Sequence, residues 1–168
     1  LKSEETLISV SSIISIFFGV INFCVFILYC FKKLSLDAEY DILDISDVSD
    51  IPNVIELLKS KKLDGVNITT PYKKDFIPYL DEINSRAENI GAINCVHQNN
   101  GKLIGNNTDW YGFAKSIEEI QDYDNVLIFG SGGVVSSLLY YFNSRNICPI
   151  HIIARDRKKL EAFRNNNT

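Results

Sequence analysis

The hydrophobic pattern separates an apolar segment at the start of the chain from a body with alternating helix and strand signals. Leu7 to Phe31 contains no charged residue, two glutamates precede it, and Lys32 and Lys33 follow it. A charge-free run of this length can cross a bilayer as a helix, and the lysines would then favour a cytoplasmic carboxyl side. The pattern predicts an apolar helix within residues 1–31. Three interpretations of this helix are open: a membrane span, a buried segment, or a segment unrelated to the rest of the fold.

The body opens with the pattern of a strand, a helix and a second strand. Ala38 to Ile45 alternates weakly and includes Ile and Tyr, which favours a strand. Asp50 is placed to cap a helix with Pro52 in its first turn, and Leu63 to Ile68 is a further apolar strand. Strand, helix and strand within about 30 residues predict a βαβ unit with parallel strands and a right-handed crossover.

Two helical segments are predicted after this strand. A helix is expected to open at Pro71, because the proline ring fixes φ at a helical value and lacks an N–H that would go unpaired. Pro78 interrupts it, Asp81 is placed to start the next helix, and Gly91 suits the carboxyl cap of that helix.

The following residues predict a β-hairpin and then a helix. Ala92 to Gln98 alternates, Asn99-Asn100-Gly101 has the Asn-Gly preference of hairpin turns, and Lys102 to Gly105 is the returning strand. Thr108 or Asp109 is then expected to cap a helix.

A second α/β pattern follows Tyr123-Asp124, the expected boundary between two lobes. Asn125 to Phe129 is continuously apolar, as expected of a buried parallel strand, and a glycine-rich turn at Gly130 to Gly133 follows it. An apolar helix is predicted to end near Ser144, and a second strand is predicted from Pro149 to Ala154. This order predicts the beginning of a dinucleotide-binding fold.

The composition is that of a globular protein and argues against some partners. The chain is 46% hydrophobic and 23% charged, with a net charge of −4, whereas nucleic-acid binding needs a basic surface. The cysteines and histidines show no C-x-x-C pair and no metal-ligand spacing, so we expect reduced thiols and no metal site. The chain begins at Leu1 and contains no methionine, so we do not expect it to be a complete translated product.

One stretch combines polar groups in a way that suggests a site. Asn67 and Thr69 are two positions apart at the end of a strand, so their side chains are expected on the same side. Lys73 follows in the predicted first helical turn, where the helix dipole disfavours a cation. The alternative is an ordinary strand-to-helix junction with a solvated lysine.

Four motifs, taken in order, resemble those of a known family. The chain reads Asn-Ile-Thr-Thr-Pro-Tyr-Lys at 67–73, Ile-Gly-Ala-Ile-Asn at 90–94, Gly-Asn-Asn-Thr-Asp-Trp-Tyr-Gly at 105–112 and Gly-Ser-Gly-Gly at 130–133. They resemble the N-V-T-x-P-x-K, I-G-A-x-N, G-x-N-T-D-x-x-G and G-x-G-G patterns of the shikimate dehydrogenase family. The resemblance implies an α/β fold with an amino-terminal βαβ-type substrate domain at residues 32–122 and an incomplete Rossmann-like NADP-binding domain at residues 123–168.

The resemblance implies the reversible reduction of 3-dehydroshikimate to shikimate, a step of aromatic amino-acid biosynthesis, with hydride from a nicotinamide. Lys73 matches the family's catalytic lysine, and Asp109 matches the acidic partner that orients it. Thr69 and Asn94 match residues that hydrogen-bond the ring hydroxyls of the substrate, whereas Asn67 is expected to hold the turn. From the residues alone, Asp109 could also be a plain N-cap.

The expected cofactor site consists of Gly130, Ser131, Gly132 and Gly133, with Arg155 at the end of the second strand. Backbone N–H groups in such a turn bind a pyrophosphate, and an arginine at that strand end accommodates the 2′-phosphate of NADP. The alternative is a tight turn that binds nothing, followed by a basic first turn on a solvated helix.

Two residues depart from the usual cofactor pattern. Val135 occupies the third small position of G-x-G-x-x-G, where we expect a branched side chain to loosen the packing of helix on strand. Asp156 could repel a phosphate, although the neighbouring arginines and lysines keep the cluster positive. NADP is therefore favoured over NAD.

Other parts of the family pattern are absent from the chain. The pair of serines that holds the substrate carboxylate has no counterpart, since Ser9 and Ser11 lie in the apolar run and look unrelated. The remaining cofactor-domain strands and a returning helix are also absent, so we expect low or no activity from these residues as they stand. There are two alternatives. One is a quinate/shikimate dehydrogenase that uses NAD, and the other is a non-catalytic, membrane-anchored remnant.

Three glycosylation sequences, at Asn67, Asn106 and Asn166, bear on the location of the protein, and the first two lie in the expected site. Asn67 and Asn106 each begin an Asn-x-Thr sequence, which would accept a glycan in a luminal protein. A glycan at either position would lie in the expected site, so enzymatic function predicts a cytoplasmic body. Anchoring through Leu7 to Phe31 is compatible with that orientation.

Overall fold

The structure, a computed structural model, describes residues 26–120 and 125–165, and the chain divides into two units at residues 1–45 and 46–168. In the first unit, residues 26–33 are helical and residues 36–45 form neither helix nor strand. Most of the predicted apolar helix at residues 1–31 lies outside the described residues. Within the described ranges, no helix combines the length and the apolar character needed to cross a membrane.

The second unit begins with helix α1, Ile51–Lys59, which follows a short 3₁₀ turn at Val48–Asp50. Asp50 is at the N-cap position as predicted, but its carboxylate accepts the backbone N–H groups of Ser46 and Asp47 and not those of the helix. The helix buries the residues that recur at three- and four-residue spacing, as an amphipathic helix does. They are Ile51, Val54, Ile55 and Leu58.

A four-stranded sheet carries the first half of this unit, with the order β1-β3-β4-β2. The strands are β1 at Gly65–Asn67, β2 at Glu82–Ile83, β3 at Cys95–Asn99 and β4 at Lys102–Asn106. Strands β1 and β4 both pair antiparallel with β3, and β2 pairs parallel with β4. Helix α1 packs on β3 and β4, where Val96 and Leu103 are fully buried.

The predicted hairpin is confirmed. Strands β3 and β4 are joined by Asn100 and Gly101, whose φ angles are 50° and 83°. Two consecutive positive φ values match the right-handed twist of the flanking strands, and Asn and Gly are the residues that adopt them at least cost.

The strand predicted at Ala38–Ile45 is wrong, because those residues form no strand. A strand needs a hydrogen-bonded neighbour, and the only described strand that pairs with β1 is β3. The predicted strand–helix–strand unit therefore has its helix and its second strand but not its first.

The helix predicted from Pro71 is also wrong. Residues 70–76 run as successive turns, and a short 3₁₀ helix follows at Ile77–Tyr79. In an α-helix the Lys73 carbonyl would accept the Ile77 N–H, but it accepts the Ile93 N–H at 3.0 Å. A contact from a distant part of the chain thus replaces the helical bond.

The next helix, α2, spans Ser85–Ile90 and does not start at Asp81 as predicted. Asn84 is its N-cap and accepts the Arg86 N–H at 3.0 Å, while Asp81 accepts the Leu103 N–H at the edge of the sheet. The predicted carboxyl cap is confirmed, since Gly91 has a φ of 69°.

The first half of the unit ends with α3 at Asp109–Ser116, and the second half begins with a parallel pair of strands, β5 at Val126–Phe129 and β6 at Ile150–Ile153. Helix α4, Val135–Ser144, connects the two strands, and α5 at Arg157–Asn165 follows β6. The predicted lobe boundary at Tyr123-Asp124 lies outside the described residues.

The packing of α4 on the two strands corrects two expectations. Val135 is only 3% exposed and packs with Ile128 and Leu139, so its branched side chain fills the contact between helix and strand and does not loosen it. Strand β5 was predicted to be buried on both faces, but Leu127 is 51% and Phe129 is 76% exposed. In the described chain α4 covers one face of this pair of strands.

Candidate active site

Lys73 and Asp109, 36 positions apart in sequence, meet in an ion pair with 2.5 Å between Nζ and Oδ2. The lysine lies in the turns after β1, and the aspartate is the first residue of α3. Their side chains are 14% and 23% exposed, so the pair is only partly accessible to water. Partial burial strengthens the attraction between the charges and still leaves a path for a substrate oxygen.

The second oxygen of Asp109 is held by Asn94. Asn94 Nδ2 donates to Asp109 Oδ1 at 2.8 Å and to Thr108 Oγ1 at 2.9 Å. Its own Oδ1 accepts the Thr108 N–H at 2.9 Å. The substrate-binding role expected of Asn94 stays a prediction, and the contacts that the structure shows are with Asp109 and Thr108.

Asn107 also belongs to the site, although the motif comparison did not assign it a role. It is 6% exposed, its Nδ2 donates to the Ala92 carbonyl at 2.9 Å, and its Oδ1 accepts the Asp109 N–H at 3.0 Å. An asparagine that bonds the backbone two residues ahead is a common turn element. Asn107 is the asparagine of the G-x-N-T-D motif, two positions before Asp109, and this position in the motif could have identified it from the sequence.

The predicted substrate residue Thr69 lies at the end of β1. Asn67 and Thr69 are exposed, and Ile68 between them is 7% exposed, which agrees with the expected placement of both polar side chains on one side. The Ile68 N–H donates to the Asn94 carbonyl at 2.7 Å, which holds this strand end next to the residue that binds Asp109.

The glycine-rich turn and the start of α5 form a cleft of about 540 Å³. Gly130 has a φ of 115° and its N–H donates to the Ile153 carbonyl at 2.8 Å, which joins the turn to the end of β6. The predicted cofactor residues Gly130, Ser131, Gly132 and Arg155 line the cleft, together with Ala154, Asp156 and Lys159. The structure thus brings together residues that the sequence placed 25 positions apart.

Gly133 does not line that cleft, but it joins the turn to the lysine segment. A Cβ atom at Gly133 would lie 2.7 Å from Thr70 Oγ1 and 3.7 Å from Lys73 Cδ. Only glycine allows so close an approach without displacement of a neighbour. The turn expected to bind a cofactor is therefore adjacent to the lysine of the ion pair.

The pKa of Cys95 is affected by the charge of Asp109, a member of the ion pair. Burial raises the pKa of the Cys95 thiol, and the negative charge of Asp109 raises that pKa further. The thiol is therefore protonated at neutral pH and is not an activated nucleophile.

Comparison with known proteins agrees with the motifs. A sequence model of the shikimate dehydrogenase substrate binding domain matches residues 25–96. The NADP(+) shikimate dehydrogenase of Clostridium beijerinckii is 36% identical over 131 residues, which are 76% of this chain and 48% of that protein. The Staphylococcus aureus (strain MRSA252) enzyme of the same name is 41% identical over 113 residues, 66% of this chain and 42% of that protein.

Solved structures give the same result. The crystal structure of shikimate dehydrogenase from Aquifex aeolicus matches with a TM-score of 0.76 and 30% identity, over 84% of this chain and 54% of that one. A crystal structure of shikimate dehydrogenase in complex with NADP+ matches with a TM-score of 0.73 and 32% identity, over 82% of this chain and 48% of that one. The chain spans about half the length of the relatives it matches. These matches confirm the α/β fold class and the resemblance read from the four motifs, and the chain belongs to the shikimate dehydrogenase family.

Proposed function

We propose that this protein is an NADP-dependent shikimate dehydrogenase, which reversibly reduces 3-dehydroshikimate to shikimate in aromatic amino-acid biosynthesis. The observation that carries the proposal is the Lys73–Asp109 ion pair adjacent to the glycine-rich turn. The names of the relatives, shikimate dehydrogenase (NADP(+)), support the substrate and the cofactor.

The roles of the residues follow from the charge that develops in the reaction. NADPH, when bound in the cleft beside the glycine turn, would supply the hydride that reduces the carbonyl group. The carbonyl oxygen then becomes an alkoxide, which needs a proton donor within hydrogen-bond reach. Lys73 donates this proton in the direction of reduction and accepts it in the direction of oxidation. Asp109 holds the ammonium group in place through Oδ2.

The substrate-binding groups are proposed to be Thr69 and Asn94. Thr69 is exposed at the end of β1, and Asn94 touches the carboxylate of Asp109. The Thr69 hydroxyl, four positions before Lys73, can both donate and accept a hydrogen bond with a ring hydroxyl of shikimate. Both amide hydrogens of Asn94 are used by Thr108 and Asp109, so we propose that Asn94 exchanges its bond to Thr108 for one to the substrate.

The cleft beside the glycine turn fits the phosphates of a dinucleotide. Gly130 and Gly132 have no side chain that would fill the cradle, and Arg155 and Lys159 contribute two positive charges. Asp156 lies in the same cleft, but its Oδ1 accepts the Lys159 backbone N–H at 3.2 Å at the start of α5. We therefore propose that Arg155 and Lys159 bind the 2′-phosphate of NADP.

Asp156 is also the observation that favours the second candidate, a quinate/shikimate dehydrogenase that uses NAD. A carboxylate at the end of the second strand can bind the ribose 2′-hydroxyl. Titration calorimetry with NADP+ and NAD+ separates the two, and Arg155→Ser should weaken NADP+ binding at least tenfold and leave NAD+ binding nearly unchanged. Tighter binding of NAD+ by the unaltered protein would reject the NADP assignment.

The proposed reaction is tested by NADP+ reduction at 340 nm with shikimate, and in parallel with quinate. Lys73→Met should lower the turnover by about 10²- to 10⁴-fold, which is the usual contribution of a general acid–base group. Lys74→Met is the matched control, since Lys74 is an exposed lysine one position away. Because low or no turnover is expected from these residues as they stand, shikimate and NADP+ binding, followed by NMR, provide a second measurement that does not depend on turnover. Turnover that survives in Lys73→Met, or an absence of binding of both ligands, contradicts the proposal.

We further propose the domain division and location that the sequence predicted. The two sheets, one within residues 65–106 and one within residues 126–153, support a substrate domain at 32–122 and a cofactor domain at 123–168. Asn67 and Asn106, at the ends of β1 and β4, are next to the candidate site, which supports a cytoplasmic body without glycans. Fractionation of cells with and without residues 1–31 tests anchoring by the predicted apolar segment.

A further inference from the structure

Two buried polar residues connect the start of α3 with α4. Asn107 is 6% exposed and lies just before α3, while Ser137 is fully buried in α4, the helix that follows the glycine-rich turn. Ser137 Oγ donates a hydrogen bond to Asn107 Oδ1 at 3.2 Å. A buried serine within a helix commonly bonds a carbonyl of its own preceding turn. Here its hydroxyl instead bonds a residue 30 positions away.

The same oxygen of Asn107 also holds Asp109. Asn107 Oδ1 accepts the Asp109 N–H at 3.0 Å, and Asn107 Nδ2 is fixed by the Ala92 carbonyl at 2.9 Å. Thr108, the N-cap residue of α3, makes no side-chain capping bond to the helix. The Asn107 amide group therefore takes over the role of a cap at the residue that carries the carboxylate.

The glycine-rich turn before α4 contacts the segment that carries Lys73. Gly133 lies two positions before α4, and its backbone approaches Thr70 Oγ1 and Lys73 Cδ. The glycine turn and the helix after it therefore contact the segments that carry both members of the ion pair. Ser137 supports the aspartate side, and Gly133 contacts the lysine side.

We propose that Asn107 and Ser137 are positioning residues that fix Asp109 against Lys73 and tie it to the helix after the cofactor turn. This inference rests on the proposed function for its consequence in catalysis, but its structural part stands without it. Displacement of a reacting group by about 1 Å can cost about 10²-fold in rate, so a bond that fixes the backbone of Asp109 matters for the reaction.

The first experiment measures hydrogen exchange of the Asp109 amide by NMR in the full chain. Ser137→Ala removes one hydroxyl from a helix without a large cavity, and Asp109 should then exchange about two- to tenfold faster, as expected for loss of one hydrogen bond. Ser136→Ala is the matched control on the same helix and should leave the Asp109 amide unchanged. Ser137→Thr keeps the hydroxyl and should restore most of the protection.

The second experiment measures the binding of shikimate and of NADP+ to the same variants. Ser137→Ala should weaken shikimate binding by about two- to tenfold and leave NADP+ binding unchanged, because the hydroxyl is directed to Asn107 and not to the cofactor cleft. A merely structural role would weaken both ligands equally. Asn107→Ala should have a larger effect in the same direction, and Ser137→Ala decides the question if Asn107→Ala does not fold.

The outcomes separate this inference from the proposed function. If Asp109 exchange is unchanged in Ser137→Ala, or rises equally in Ser136→Ala, the positioning role is overturned whatever the ligands do. If the unaltered protein binds no shikimate while Asp109 exchange responds as expected, the proposed substrate fails and the structural link between α4 and Asp109 is supported.

Discussion

The Asp109 carboxylate uses its two oxygens for two different neighbours, Lys73 on one side and Asn94 on the other. This arrangement fixes the plane of the carboxylate and the direction of the ammonium group together. A plain N-cap would need neither contact, because its carboxylate would accept backbone N–H groups of the helix. The geometry therefore favours a site over the capping role that the sequence left open.

The charge of Asp109 can be tested through Cys95. Because burial and Asp109 both raise the pKa of the Cys95 thiol, its thiolate forms only at higher pH than usual. Alkylation of Cys95 by iodoacetamide, followed by peptide mass spectrometry, should therefore have a midpoint above the ordinary thiol value. Asp109→Asn should move that midpoint down, since it removes a negative charge. The exposed Cys148 is the internal control, and a Cys95 midpoint that does not move in Asp109→Asn would contradict the proposed charge contact.

The contact between the glycine turn and the lysine segment gives a second prediction for a single residue. Gly133→Ala places a Cβ 2.7 Å from Thr70 Oγ1 and should lower the free energy of unfolding by about 1–3 kcal/mol in urea titrations. Thr70→Ala removes the opposing oxygen, so the double variant should recover most of this loss. Gly132→Ala is the matched control because its Cβ would meet nothing within 4 Å in the described chain. Equal losses at both glycines would show that the close approach is not the cause.

Among the secondary-structure elements, those with local causes were predicted and those with distant causes were not. The β3–β4 hairpin follows from Asn100 and Gly101 alone, and it formed as expected. The turns at residues 70–76 depend on the Ile93 N–H, which donates a hydrogen bond to the Lys73 carbonyl although Ile93 lies 20 positions further along the chain. No pattern within residues 67–78 contains that information, so the helix predicted at Pro71 was wrong.

The hairpin turn allows a test of this local origin. Gly101→Ala puts a side chain at a φ of 83° and should lower the free energy of unfolding by about 1–2 kcal/mol. Asn100→Gly at the neighbouring position, with a φ of 50°, should change stability by a few tenths of a kcal/mol at most. Urea unfolding followed by circular dichroism measures both variants. If Gly101→Ala unfolds like the unaltered protein, the turn does not determine the register of the hairpin.

For the molecule as a whole, the order of four motifs identified the family, and the resemblance also indicated that Lys73 and Asp109 would meet. The Asn107–Ser137 bond could not be predicted in this way, because Ser137 looks like an ordinary polar residue of an amphipathic helix. The absence of a strand at residues 38–45 could not be predicted either, since a strand depends on a hydrogen-bonded partner elsewhere in the chain. Motif order thus gives the candidate reacting groups, whereas the contacts that hold them in place join distant elements and could not be predicted.

An aromatic contact between α3 and α4 joins the two halves of the second unit, in addition to the Gly133–Thr70 approach and the Asn107–Ser137 hydrogen bond. The Phe113 ring lies 5.4 Å from the rings of both Tyr141 and Phe142, each in an edge-to-face arrangement. Since α3 begins at Asp109 and α4 follows the glycine turn, this contact helps to hold the candidate proton-transfer pair and the candidate cofactor cleft in one arrangement. Loss of the contact should therefore destabilise both halves and not one alone.

Phe113→Ala should lower the free energy of unfolding by about 1–3 kcal/mol, as expected for loss of two aromatic pairs. Tyr111→Ala is the matched control, because Tyr111 is 53% exposed on the same helix, and its removal should cost less. Urea unfolding is followed by Trp110 fluorescence at the start of α3 and by hydrogen exchange of the β5 and β6 amides. Both measurements should shift to lower urea together in Phe113→Ala, because one contact serves both halves. If the fluorescence transition shifts while hydrogen exchange in β5 and β6 is unchanged, the two halves unfold independently. The Phe113 contact would then not be what holds the Lys73–Asp109 pair and the candidate cofactor cleft in one arrangement.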